Sequence, residues 1–371
     1  MQRNDSGAAP AARPSPPPSR RRRIGILAVV ILLVAAGVVL KVVLEPGPEP
    51  PEVITPDSTI APPRPVPDEQ VMNARAAACL SSVRRRAGRV SKVAGTLATY
   101  RRAKVPDRRT YDLRRARIVG YPTTNRYPLA FGKRDSGNAT CVVGGTIAGR
   151  QSRTLTWQVM KGKLDGDGLH FKSRGGVVDG IRVDNVEDGV GTIAGDPEGI
   201  LLRNAYMTYI RDDCIENDWI VGLIVKDSLL DGCFFGLSQR PALGTGPRAA
   251  PPAERTLLDG VLIRLQPMPF EAQKARCAAD GLGTGGFFKW SPYSNRLVVR
   301  NSVLLAERVA ALCGRPMDFP ENATFENVTL VWLGPGDYPG RLPATGVTVI
   351  RDRQVWDEAR AEWLERHGYP S

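Results

Sequence analysis

Between Val177 and Val331 the apolar positions fall in short runs that repeat one phrase: apolar residues, one variable residue, Asp or Asn, a small residue, then apolar again. The copies align on Asp179, Asn204, Asp227, Asp259, Asn301 and Asn327, at intervals of 25, 23, 32, 42 and 26 residues. A unit of this length, rich in β-branched runs, cannot bury its apolar face alone. Successive copies must stack and share a core, which predicts a solenoid of short strands. Asp or Asn suits the place where each strand turns, because its short side chain bonds the local backbone and tolerates left-handed dihedrals.

Three segments stand outside the repeat. Ile24–Leu44 is apolar apart from Lys41 and follows Arg20–Arg23. Its 21 residues reach about 31 Å as a helix, which predicts a membrane span with the N-terminus cytoplasmic. A cleaved signal peptide is the alternative, with Ala35-Ala36-Gly37 as its weak cleavage site. Nine prolines between Glu45 and Pro67 predict an extended stalk. Two helical patterns flank the repeats. One starts near Glu69 with Val71, Ala74, Ala78 and Cys79 on a face and is expected to cap the first coil. The other, Asp352–His367, is expected to cap the far end or pack on the side, with Trp356 and Trp363 as core.

The expected domains are a disordered tail (1–23), a transmembrane helix (24–44), a stalk (45–67), a basic cap region (68–117), the solenoid (118–340) and a C-terminal helix (341–371). Charge sharpens this division. Residues 75–117 carry 14 Lys and Arg against 2 acids, nearly all of the net +13. That run reads either as a solvated cap or as a cradle for an anionic polymer or membrane phosphates. The span places the folded part in the periplasm or another extracytoplasmic space, which leaves no nucleic-acid partner to expect.

Six cysteines suit an oxidising compartment. Cys214 and Cys233 occupy matching places on neighbouring repeats and are expected as an unbridged inward ladder. Cys277 with Cys313 is the expected disulfide. No CxxC or Cys/His cluster suggests a metal site, and no cofactor is expected.

Candidate chemistry lies on consecutive repeats, in Asn185-Val-Glu-Asp188-Gly, Arg211-Asp-Asp-Cys-Ile-Glu216 and Leu230-Asp231-Gly-Cys233. Strands in register sit about 4.8 Å apart, so Asp188, Asp212 or Asp213, and Asp231 are expected to form a carboxylate ladder. Carboxylates that close cannot all ionise cheaply, which raises a pKa or recruits a cation. Arg211, Glu216, Trp219, Arg240, Arg264 and Trp290 are the expected substrate contacts. The alternative needs no chemistry: Asp and Asn are common where strands turn, because their side chains bond the local backbone.

The repeats resemble the right-handed parallel β-helix, or pectin-lyase-like, superfamily over Cys141–Gly334, and a leucine-rich repeat is excluded by the missing leucine ladder. The resemblance implies an all-β fold with capping helices. Asp212-Asp-Cys-Ile215 is similar to the Gly-Asp-Asp-Cys signature of polygalacturonases, which implies Asp213 as proton donor and Asp188 with Asp212 as water activators. Asp231-Gly-Cys233 replaces that family's Gly-His-Gly, Arg264-Leu-Gln266 replaces its Arg-Ile-Lys, and neither His170 nor His367 falls in the matching repeat. A lyase would instead use Arg211 or Lys226 as base and hold calcium on the acids. The leading expectation is an envelope protein that binds a polysaccharide or other anionic polymer. A glycan-active hydrolase, lyase or epimerase, and a protein scaffold, are the alternatives.

Overall fold

A computed structural model describes residues 69–370, apart from 86–87, 121–126, 136, 164–165, 193–198, 241–254, 272–279, 309 and 311–316. These belong to the compact unit Ala61–Ser371. The tail, the Ile24–Leu44 segment, the stalk, and Cys277 with Cys313 lie outside the described residues. Among the described residues no helix is long and apolar enough to cross a membrane.

Strands stack coil upon coil into one 18-stranded, parallel-paired sheet, an arrangement compatible with a β-helix solenoid. The first coil holds β1 (Val90–Leu97) and β2 (Tyr100–Lys104), and the next holds β3 (Thr110–Val119) and β4 (Leu129–Asp135). There follow β5 (Cys141–Val143), β6 (Thr146–Ala148) and β7 (Asp167–Phe171), then β8 (Gly176–Asp179), β9 (Arg182–Asp184) and β10 (Asp188–Thr192). Later coils use β11 (Ile200–Arg203), β12 (Tyr206–Glu216), β13 (Leu223–Gln239) and β14 (Arg255–Leu265). A small antiparallel pair, β15 (Met268–Pro269) and β16 (Leu282–Gly283), precedes β17 (Phe288–Trp290), β18 (Arg296–Ala306), β19 (Ala323–Trp332) and β20 (Val347–Ile350). Stacking therefore begins at Val90, ahead of the boundary expected at residue 118.

The pairing resolves into three faces. On the first, Cys141, Val177, Leu201, Ile224, Leu257 and Val298 form one register column. Their neighbours Val142, Val178, Leu202, Val225, Leu258 and Val299 point into the main core. The outward column is covered by Met72, Ala76, Cys79 and Val83 of helix α1 (Glu69–Arg85). Consecutive apolar residues in each repeat thus reflect burial on both sides of the strand. At 17 residues, α1 spans about 25 Å, or about five coil spacings. It lies along the side of the solenoid and does not cap its end, because the strands offer it an apolar column to bury. The Cys79–Cys141 disulfide ties it there.

Each repeat's variable residue comes next, facing outward beside the helix. Asp179, Arg203, Lys226, Asp259, Arg300 and Glu326 align in register. The following residue turns the corner with positive φ: Gly180, Asn204, Asp227, Gly260, Asn301 and Asn327. In two copies, then, the true corner is the glycine one place after the aligned Asp. Glycine and Asn are interchangeable there because both accept the left-handed conformation.

The second face runs through β9, β12, β13, β14, β18 and β19. Helix α3 (Gln354–Arg366) covers it, with Trp356, Trp363 and Leu364 buried on Leu229, Leu262, Leu305 and Val331. Asp352 accepts the Gln354 amide proton at 2.9 Å, as a residue at a helix start should. The third face is built from β2, β4, β7, β10, the end of β12, the end of β13, and β17.

Candidate active site

The third face gathers the acids. Asp167 pairs in register with Asp188, and the Asp188 carboxylate accepts the Asp213 amide proton at 2.9 Å. Consecutive residues of a strand normally point to opposite faces, yet Asp212 and Asp213 both reach Lys289. A register shift between Ile210 and Asp213 makes this possible, since a bulge re-aims the side chains around it.

Two groups meet at Asp188. One oxygen each of Glu187, Asp188 and Asp212 lies within 4.8 Å of the others, and the same holds for Asp167, Asp188 and Glu216. The first group is closed over by helix α2 (Trp157–Lys163). Lys161 Nζ stands 2.7 Å from Asp212 and 3.2 Å from Glu187, and Trp157 Nε1 donates to Asp212 at 3.0 Å. Trp157 is itself fixed by stacking on Phe234 and Phe270. From the opposite side Lys289 Nζ reaches Asp213 at 2.8 Å and Asp212 at 3.8 Å.

The second group opens on a pocket of about 150 Å³ lined by Tyr127, Asp167, His170, Asp188, Thr192, Glu216 and Trp219, with Gly166 and Gly191. His170 Nδ1 lies 2.6 Å from Asp167 Oδ2, which leaves Nε2 as the second ring nitrogen. Asp167 also hydrogen-bonds Glu216. A side chain at Gly191 would run into the Asp167 carboxylate, so glycine is what lets that acid lean over its neighbour.

Electrostatics separates the acids. Burial, reinforced by Glu216, Asp212 and Asp213, pushes Asp188 well above the usual carboxylate range. Glu216 is pushed up to about 10 by burial and by the neighbouring carboxylates, Asp167 first. Burial and Asp212 push Asp213 up to about 7. Burial would also raise Asp212, but Lys289, Lys161 and the Trp157 hydrogen bond hold it below its ordinary value. Against their own burial, Lys161 and Lys289 are kept charged by these acids. Near neutral pH Glu216 therefore keeps its proton, while Asp188 is shifted in the same direction and Asp212 in the opposite one, a separation that acid–base chemistry needs. The oxygen-only donors Asp167, Asp188 and Glu216 would equally suit a hard cation such as calcium.

Other expected residues go elsewhere. Asp231 is in register with Thr208 and Arg264 on the second face, not with Asp213, whose partner is Phe235. Asp231 is bound by Arg264 at 2.5 Å and by Arg360 of α3 at 2.6 Å. It leaves the expected ladder because Asp231 precedes a corner and Asp213 follows one. Arg211 is fully buried and donates to the carbonyls of Ser152 and Leu155, anchoring the segment that leads into α2. Arg240 and Trp290 line a separate groove of about 660 Å³ with Phe235, Phe288 and Lys289. Trp219, 38 % exposed, stands at the rim of the acidic pocket. Lys226, the other expected base, pairs with Glu69 at 2.6 Å on the first face.

Cys214 and Cys233 are bridged, contrary to the expected free ladder. Their Cα atoms lie 5.4 Å apart, and stacked coils set inward cysteines at the separation a disulfide requires.

The repeat pattern does not single out His170, Asp167, Lys161 or Lys289. A signal for the first two is nonetheless present: Asp167-Gly-Leu repeats the Asp188-Gly-Val phrase one coil earlier. Lys289 follows a long insertion, so no spacing could place it. Compared with protein-family models, curated proteins and solved structures, the chain matches none of them.

Proposed function

We propose that this chain is a membrane-anchored, extracytoplasmic glycan-active enzyme on a right-handed, pectin-lyase-like β-helix, working by general acid–base catalysis in the Asp167–His170–Asp188–Glu216 pocket. The observation that carries the reading is the hydrogen-bonded series Glu216, Asp167, His170 beside a buried Asp188 whose surroundings disfavour its charged form. Glu216 is the proton donor. His170, oriented through Nδ1 by Asp167, offers Nε2 as acceptor. Asp212 and Asp213, shut behind Lys161 and Lys289, tune the field and do not touch the substrate.

No Lys or Arg is found among the described residues that line the pocket. A uronate carboxylate would meet three acids there, so the reacting unit is a neutral sugar packed on Trp219. This favours hydrolysis over β-elimination, which needs a cation on the carboxylate.

The full chain, incubated with neutral and acidic envelope polysaccharides while new reducing ends and unsaturated products are followed, is expected to release reducing ends. Glu216→Gln and Asp188→Asn should each lower turnover by about 10²–10⁴-fold, whereas Arg264→Ala on the second face should not. Retention of a polymer with no turnover would make the chain a glycan-binding solenoid instead.

A further inference from the structure

We infer that the first coil is a docking surface for a linear polysaccharide bearing anionic units between neutral ones, and that it feeds this polymer along the third face to the acidic pocket. The inference rests on the glycan-active reading above. Lys92, Arg101, Arg102, Lys104, Arg108 and Arg115 are all exposed on the first two coils. Between residues 88 and 117 the acids are Asp107 and Asp112, and Asp112 is buried and bound by Arg114 at 2.9 Å. This end of the solenoid is therefore strongly cationic, and nothing in the pocket's chemistry uses it.

Register connects the two. Arg101 pairs with Ala130, Ala130 with His170, His170 with Gly191, and Gly191 with Glu216. Arg101 is thus two coil steps, about 10 Å, from His170 in the same column. Its guanidinium donates to the Tyr127 carbonyl at 2.8 Å, and the Tyr127 ring lies 4.2 Å from the His170 ring at the pocket. Among the described residues β1 pairs with β3 and β2 with β4, so these exposed cations stand on the first coils of the described stack. A polymer with charged units on these coils and a neutral unit one or two residues along would meet cations first and acids at the point of reaction.

A lipid surface fits less well. Membrane-lying surfaces combine cations with apolar anchors, and the exposed large apolar side chains described are Val71, Trp219, Leu282, Tyr293 and Val349, none of them on the first coil. The cations also follow β1, β2 and β3 around the coil, so they do not share one plane.

The test uses the full chain in neutral detergent, with alginate and polygalacturonate as anionic probes, dextran as the neutral one, and phosphatidylglycerol vesicles beside them. Binding to the anionic polymers is expected, weakening as added salt shortens the Debye length from about 10 Å to about 3 Å. Arg101→Ala/Arg102→Ala/Lys104→Ala should bind roughly tenfold more weakly, each exposed ion pair contributing a factor of about two to three. Arg264→Ala on the second face should bind like the parent, and binding is measured apart from turnover, so loss of catalysis and loss of docking read separately. Because the triple change also strips side chains from β2 itself, Lys104→Ala alone is measured too and should give about a twofold loss. Equal capture of dextran, unchanged binding by both variants, or capture of vesicles but not of anionic polysaccharide would each overturn the inference.

Discussion

Two stacked charge ladders run along this solenoid on different faces, built by the same strands. On the first face Asp179, Arg203, Lys226, Asp259 and Arg300 nearly alternate in sign, with Glu69 of α1 closing on Lys226 and Arg300. On the third face Asp167, Glu187, Asp188, Asp212, Asp213 and Glu216 are answered by Lys161 and Lys289. The first arrangement neutralises itself and lies partly in water, which is how a helix is pinned to a sheet. The second leaves like charges buried together, a state that stability alone does not select. Stored electrostatic conflict is what distinguishes a place for chemistry from a place for packing.

Removing one cation from each ladder gives the largest contrast. Lys161→Met or Lys289→Met leaves a buried carboxylate uncompensated and is expected to destabilise the fold by about 3–5 kcal/mol. Arg300→Met, whose partners Glu69 and Asp259 are partly exposed, should cost no more than about 1 kcal/mol. Urea unfolding measures both. Adding Asp212→Asn to Lys161→Met should recover part of the loss, since the charge left behind is then gone. Equal effects on the two faces would end the distinction.

The pH dependence sharpens it. Glu216 keeps a proton in the folded chain that the unfolded chain releases near its ordinary value of 4.5, and loses it only near 10. Between those values the folded state binds more protons, so stability falls as pH rises, by at most about 1.4 kcal/mol per pH unit for one such group. Glu216→Gln should flatten that fall and raise the melting temperature at pH 8 more than at pH 5. The first-face acids Asp259 and Glu69 are held below their ordinary values, Asp259 by Arg300 and Asn301 against its burial, and Glu69 chiefly by Lys226. Their contribution is present above about pH 4.5 and disappears on acidification through the lowered values. Asp259→Asn should therefore weaken the protein at neutral pH and matter less in acid, the opposite trend.

The first ladder is legible in the sequence and the second only in part, for a physical reason. The repeat phrase records what each strand buries, so the order of residues around Val177, Leu201, Ile224 and Leu257 is enough to predict stacking. It does not record which corner a residue follows. Asp213 and Asp231 look equivalent as Asp-Cys and Asp-Gly-Cys, yet Cys233 pairs with Ile210 and the shift at the β12 bulge moves Asp213 opposite Phe235. One residue of slip sends a side chain to another face. The cysteines behave similarly: the phrase places Cys214 and Cys233 at equivalent inward positions, and the bond between them follows from a distance the phrase does not carry. Lys161 and Lys289 come from segments outside the repeat, where no period constrains them.

Gly191→Ala gives the most local test of the acidic face. The added methyl group would collide with the Asp167 carboxylate, so that side chain must move off both His170 and Glu216. A cost of about 1–3 kcal/mol is expected from the overpacking alone. Gly180→Ala, where a Cβ meets nothing within 4 Å but the backbone is left-handed at φ 74°, should cost about 1 kcal/mol through strain and leave the pocket untouched. The decisive measurement is the His170 Nδ1 proton by NMR. Held against Asp167 in a short charge-assisted hydrogen bond, that proton should resonate far downfield and exchange slowly in the parent and in Gly180→Ala. In Gly191→Ala the signal should be lost, because the carboxylate that shelters it has been pushed aside. An unchanged signal would mean that Asp167 does not hold His170, and the proton path from Glu216 would have no oriented acceptor.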